Sequence, residues 1–154
     1  MFRCGRMWVI NMFMGEYRHN LDAKGRVTLP SKFRDKFESI VTVTRGFDGC
    51  LSVYTEEEWE NFYSQLQKIP SNRKQARTFI RLIISKATQC EIDKMGRINI
   101  PNHLRTVASL TKECAIVGAG NHVEIWDSVI WDSYLEEEAA NLEEIAEELD
   151  GFDF

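Results

Sequence analysis

The sequence predicts a mainly β fold with flanking helices, built from two pseudo-symmetric repeats that share one core. The run Asp22-Ala23-Lys24-Gly25-Arg26-Val27-Thr28-Leu29-Pro30 returns as Asp93-Lys94-Met95-Gly96-Arg97-Ile98-Asn99-Ile100-Pro101, 71 positions on (93 − 22). A repeat of fixed period sets the architecture before any single residue is read. The correspondence continues past the turn, with Phe33-Arg34 answering Leu104-Arg105. After one inserted residue the offset becomes 72: Gly46 answers Gly118, Leu51 answers Val123, Tyr54 answers Trp126 and Trp59 answers Trp131. Each copy spans about fifty residues, a length that buries too little apolar surface to be stable alone. Two copies pressed together into an intramolecular pseudo-dimer are therefore expected, rather than two independent modules.

The elements follow in order. Tyr17, His19 and Leu21 alternate with Glu16, Arg18 and Asn20, a strand pattern. Asp22 to Gly25 is a turn, because Asp bonds its own backbone and Gly takes positive φ. Val27 and Leu29 then point inward while Arg26 and Thr28 point out, so the segment reads as a hairpin with Asp22 and Arg26 flanking its turn. Pro30 opens a short helix from Ser31 to Phe37. Val41–Thr44 and Cys50–Tyr54 are strands, and Thr55 with Glu58 forms a capping box for a helix to about Lys68. That helix carries Trp59, Phe62 and Leu66 on one side. After Ile69-Pro70, Ser71 is placed to cap a connecting helix over Arg73–Ser85, with Ala76, Phe79, Ile80, Ile83 and Ile84 near one face and Arg73, Lys74, Arg77 and Arg81 on the remainder. The second half repeats the scheme: a strand to Ile92, a strand Arg97–Ile100, a short helix near Asn102–Ala108, and strands Cys114–Val117 and His122–Trp126. Asp127 or Ser128 caps a last helix over about Val129–Leu149, with Leu135, Leu142, Ile145 and Leu149 as its apolar stripe and its glutamates facing water. Residues 151–154 are expected to fray.

This gives a division into residues 12–70 and 86–135 as the two repeats, 71–85 as a helical connector and 136–154 as an acidic C-terminal helix and tail. Residues 1–11 lie outside the repeat and precede Met12. They are expected to be an extension of the reading frame or a loose arm.

The net charge of −5 hides a sharp polarity. Residues 1–112 hold all 19 Lys and Arg against 11 Asp and Glu, a balance of +8, whereas residues 113–154 hold the other 13 acids and no Lys or Arg. The field near the basic part matters more to a polyanion than the total does. Cys4, Cys50, Cys90 and Cys114 are widely spaced, without a CxxC pair, so metal binding is not expected and free, mostly buried thiols are. No apolar run approaches membrane-spanning length. No cofactor or small-molecule ligand is suggested, and the chain is placed in the cytoplasm.

Catalysis is not expected either. Asp22 and Asp93 could be imagined as a paired acid and base, but each has an Arg four positions on across a tight turn, where a salt bridge is the simpler role. No nucleophile–base constellation and no phosphate-cradling glycine loop accompanies them, and the three histidines are scattered. The turns are better read as presenting cations: Lys24 and Arg26, then Lys94 and Arg97, with Arg18 on the incoming strand. An Arg on a rigid turn engages phosphate bidentately or reaches guanine O6 and N7. The Asp orients the Arg and leaves its remaining donors facing outward. The competing expectation is a protein-interaction scaffold working through Phe47, Trp59 or the glutamate-rich helix.

Met12-Phe13-Met14-Gly15-Glu16-Tyr17, Asp22 to Arg26, Pro30 to Arg34, Arg81, Ala87, Glu91-Ile92-Asp93, Gly96-Arg97-Ile98, Val117-Gly118 and Glu124-Ile125-Trp126 together resemble the MraZ family of bacterial transcriptional regulators, which carry two AbrB-like domains. The resemblance implies a double-split β-barrel of the AbrB, MazE and MraZ type, assembled into a ring-shaped homo-oligomer. It implies binding to short repeated promoter sites on double-stranded DNA, upstream of the cell-wall and division gene cluster, as a nucleoid-associated repressor. The family's Asp-x-x-x-Arg residues fall on Asp22, Arg26, Asp93 and Arg97, with Lys24 and Lys94 as neighbouring cations. Met95 departs from the first turn, where Ala23-Lys24 precede the glycine, which implies two loops unequal against DNA.

Overall fold

The computed structural model describes residues 12–152; the arm expected over residues 1–11, Cys4, and residues 153–154 lie outside them. Eight strands and six helices make up the described chain: β1 (Glu16–Asn20), β2 (Arg26–Thr28), α1 (Ser31–Arg34), β3 (Ile40–Arg45), β4 (Leu51–Tyr54), α2 (Glu56–Gln67), α3 (Lys74–Ile84), β5 (Thr88–Glu91), β6 (Arg97–Asn99), α4 (Asn102–Val107), β7 (Glu113–Gly118), β8 (Val123–Asp127), α5 (Ser128–Ala139) and α6 (Leu142–Glu148).

The strands that flank each Asp–Arg turn do not pair with one another, which corrects the expected hairpins. β1 pairs with β7 and β5 pairs with β3, each strand crossing to the other repeat. β2 and β6 leave the main sheet and pair only with each other. The result is a six-stranded antiparallel sheet in the order β1-β7-β8-β4-β3-β5 and a separate two-stranded ribbon. A pseudo-two-fold axis runs through both. In the ribbon Val27 lies opposite Ile98, its own repeat mate, and in the sheet Ser52 lies opposite Glu124. β1 and β2 have no partner strand in their own repeat, so the two halves share their sheets as well as their core.

The core forms where the halves meet. Val27, Leu29, Val41, Val43, Leu51 and Val53 from the first repeat pack with Ile98, Ile100, Leu104, Ile116, Val123 and Ile125 from the second, all fully buried. Full burial of each such side chain is worth about 1.5–3 kcal/mol, a gain realised only when both halves are present. Phe13 closes one side of this core, stacked on Phe37 at 5.0 Å and edge-on to Phe33 at 5.6 Å. A smaller cluster of Cys50, Ala115, Trp126 and Trp131 seats α5 on the sheet.

Registers refine the repeat. Thr42 pairs with Tyr54 as Ala115 pairs with Trp126, so β7 follows β3 by 73 positions (115 − 42) while β8 follows β4 by 72 (126 − 54). Gly118 is therefore the counterpart of Arg45 and not of Gly46. It serves a different purpose: a Cβ there would lie 2.5 Å from the Met14 backbone nitrogen and 2.6 Å from the Phe13 carbonyl carbon. Only glycine admits the Phe13 segment, whose backbone bonds Gly120 in both directions, at 2.7 and 3.0 Å.

The helices hold three further differences. Thr55 caps α2 by accepting from Glu58 N at 3.0 Å, as expected, but α3 starts at an Arg73 cap with no side-chain bond, so Ser71 does not cap it. The helix after Pro30 stops at Arg34 and continues as turns to Phe37. The last helix is two. Asp127 caps α5 through its bond from Val129 N, and the chain breaks at Ala140-Asn141 before α6. The expected stripe is not covered: Leu142, Ile145 and Leu149 are exposed, and α6 buries no residue. Asn141 leaves the helical region, at φ −108° and ψ 16°, and divides the two segments.

Candidate nucleic-acid interface

Each turn is built by one carboxylate. Asp22 Oδ1 accepts from the backbone N–H groups of Lys24 and Arg26, both at 2.9 Å, and Oδ2 accepts from Arg26 Nε at 2.7 Å. Asp93 repeats the set on Met95 N, Arg97 N and Arg97 Nε at 2.9, 2.8 and 2.8 Å. Gly25 and Gly96 close the turns at φ +84° and +80°. These bonds, the one from the Arg backbone N–H foremost, hold both carboxyls below their ordinary range. Both are thus charged at neutral pH, and each guanidinium is oriented through Nε. Among the described residues, neither Arg26 nor Arg97 has a hydrogen-bond partner on its Nη groups, which remain free for an outside acceptor.

The two turns are clasped to each other. Ile100 N donates to Gly25 O at 2.9 Å and Leu29 N donates to Gly96 O at 2.8 Å, extending the ribbon ladder at both ends. Because Val27 and Ile98 face the core, Arg26, Thr28, Arg97 and Asn99 share the opposite, outer face. Arg97 lies across from Thr28, so the two arginine backbones are offset by about 7 Å along the ribbon. Since the strands are antiparallel, Lys24 and Lys94 sit beyond opposite ends of the ribbon, both exposed.

Two further cations arrive from the opposite repeat. Arg105 bonds Ile100 O at 2.6 Å and lies where a Cβ on Gly25 would stand, and Arg34 bonds Met95 O at 3.2 Å and lies against Gly96 in the same way. Sequence reasoning does not place them at the site, although the recurrence of Phe33-Arg34 as Leu104-Arg105 is a signal that could. Each turn is thus backed by its own Arg and one from the other half.

Arg18 stands apart from this group. Its Nη2 bonds Glu16 and Asp132, both at 2.8 Å, and its Nη1 bonds Ser128, with Glu113 at 3.9 Å. The bond to Asp132 is the main cause of its raised pKa. Surrounded by acids, it ties β1 to α5.

The buried thiols offer no chemistry. Burial pushes Cys90 and Cys114 up to about 11 and Cys50 further still, so none is a thiolate at neutral pH. Among the described residues no His, Cys, Asp and Glu group could hold a metal ion, and no helix is long and apolar enough to cross a membrane. The acids of α6 and the tail stand in segments separate from the ribbon.

The family model described as "MraZ protein, putative antitoxin-like" matches the chain twice, over residues 12–82 and 83–153. The chain is also similar to "Transcriptional regulator MraZ" of Ligilactobacillus salivarius (strain UCC118), at 52% identity over 142 residues covering 92% of this chain and 99% of that protein.

Proposed function

The chain belongs to the MraZ family, and on that premise we propose that it is a transcriptional regulator that binds double-stranded DNA through the outer face of the β2–β6 ribbon. It is not an enzyme. The observation that carries the reading is the pair of arginines, each fixed through Nε by an Asp on one ribbon face, with its Nη groups uncommitted. A two-stranded antiparallel ribbon fits the major groove, where an Arg fork matches guanine or phosphate. Arg26, Arg97, Lys24 and Lys94 make the contact, with Asp22 and Asp93 as orienting residues. Arg34 and Arg105 add charge at the same turns, and Arg18 is left outside the interface.

One protomer offers a handful of cations, which is weak binding at physiological salt. Several protomers in a ring, on adjacent promoter repeats, gain through effective concentration. The uncovered stripe of α6 supports a contact between copies in such a ring. The targets are the promoter repeats of the cell-division and cell-wall cluster, and the protein acts in the cytoplasm, on the nucleoid, as a repressor. Fluorescence anisotropy with the protein's own promoter fragment at two ionic strengths tests this. Affinity falls steeply with added salt and falls about tenfold or more in Arg26→Ala; unchanged binding by that variant refutes the reading.

A further inference from the structure

The ribbon is symmetric in its backbone but not in what it shows to a duplex. Thr28 and Asn99 hold matching positions in the repeat, and each stands beside an arginine on the outer face. Asn99 is exposed, lies directly opposite Arg26, and among the described residues its carboxamide has no hydrogen-bond partner. Asn is a poor strand former, whereas Thr is a good one. Asn99 thus breaks a local rule within a three-residue strand, with no packing or side-chain bonding in return. Such uncompensated choices are expected where a residue serves a ligand.

The chemistry of the side chain says which ligand feature. A carboxamide donates and accepts side by side, which matches adenine N6 and N7 in the major groove and no other single base edge as well. Threonine at the mirror position offers one hydroxyl and a methyl, suited to a thymine methyl or to no particular base. The cations differ likewise: Lys24 occupies the third position of its turn where the second turn has Met95, and Lys94 occupies the second position where the first turn has Ala23. We propose that Asn99 is a specificity-determining residue that reads an adenine beside the Arg26 contact, so that each ribbon recognises a non-palindromic, directional site despite its two-fold backbone. This rests on the ribbon being the DNA-binding face.

The test is selection from a pool of duplexes with a randomised core of about 16 base pairs, long enough to span more than one helical turn, using the full chain and Asn99→Thr, which makes the two strands alike at this position. The wild-type protein enriches a non-palindromic motif that includes one adenine. Asn99→Thr loses preference at that adenine alone, keeps its neighbours, and binds the wild-type motif about 5- to 150-fold more weakly. Replacing that adenine by 7-deazaadenine, which lacks the N7 acceptor, weakens the wild-type protein about 5-fold and leaves the variant unaffected. An unchanged motif from Asn99→Thr, a palindromic wild-type motif, or indifference of the wild-type protein to 7-deazaadenine overturns the assignment while leaving DNA binding intact. Enrichment of nothing by the wild-type protein removes both readings.

Discussion

Asp22 holds Arg26 Nε at 2.7 Å, and Asp93 holds Arg97 Nε at 2.8 Å, four residues on across a turn in both cases. Each Asp also caps two backbone N–H groups, so it orients the Arg and builds the turn at once. The two tasks separate by substitution. Asp22→Asn keeps an oxygen for the backbone donors but loses the charge that fixes the guanidinium. Its DNA affinity should fall while its melting temperature moves less than that of Asp22→Ala, which loses both functions. Equal melting temperatures for the two variants would show that the backbone bonds carry no stability.

The depressed carboxyls set an acid limit. A group whose folded value lies below its ordinary 3.8 contributes stability that is complete above 3.8 and fades as pH falls through the folded value. Thermal melts should be flat in this contribution from neutral pH down to about 5 and decline below about 4. The double variant Asp22→Asn, Asp93→Asn should lose part of that acid slope. An identical slope in the variant would mean that other carboxyls govern acid unfolding.

Gly118→Ala should be among the most damaging small changes in the protein. The added methyl meets backbone atoms of Phe13 and Met14, which cannot rotate aside, and Phe13 is nearly fully buried at 2% exposure. Overpacking of this kind costs about 1–3 kcal/mol, and loss of the Phe13 bridge adds to it. Gly120→Ala is the control. Its Cβ meets nothing within 4 Å, and its φ of +86° leaves only the strain of a left-handed residue, about 1–2 kcal/mol. Urea denaturation of the two variants gives the comparison.

Arg105→Ala removes the guanidinium that lies over the first turn and bonds Ile100 O at 2.6 Å. This change should weaken DNA binding and lower the slope of log affinity against log salt by about 1 for each phosphate the side chain had neutralised. An unaltered slope would place Arg105 in a purely structural role.

The exposed stripe of α6 predicts a change in size rather than in fold. Replacing Leu142, Ile145 and Leu149 by Ser should shift the melting temperature of the protomer by no more than about 2 °C, since α6 buries nothing. Light scattering should then show smaller assemblies. Unchanged size would move the contact between copies to another surface.

What could be read in the sequence was local. The Asp22–Arg26 and Asp93–Arg97 bonds span four residues, and the turn chemistry forces them wherever the strands go next. The swap of β2 onto β6 could not be read that way, because a hairpin and a corner carry the same Asp, Gly and alternating apolar residues. The choice is made by Val27 meeting Ile98, 71 positions off (98 − 27). Aligning glycine with glycine likewise misassigned Gly118, whose small size answers the Phe13 backbone and not a turn. Arg34 and Arg105 reach the site only because the repeats interlock. The break at Asn141 leaves no mark in the helical period of the sequence.

The exchange of strands between repeats also fixes when the protein can form. As the chain emerges during synthesis, β3 and β4 can close into a hairpin at once, but β2 waits for β6, about seventy residues later. At about 5–20 residues per second this is a delay of about 4–14 s. Through that interval the apolar side chains of Val27 and Leu29 lack the second-repeat residues that cover them, so the newborn first half stays incomplete until its counterpart has left the ribosome.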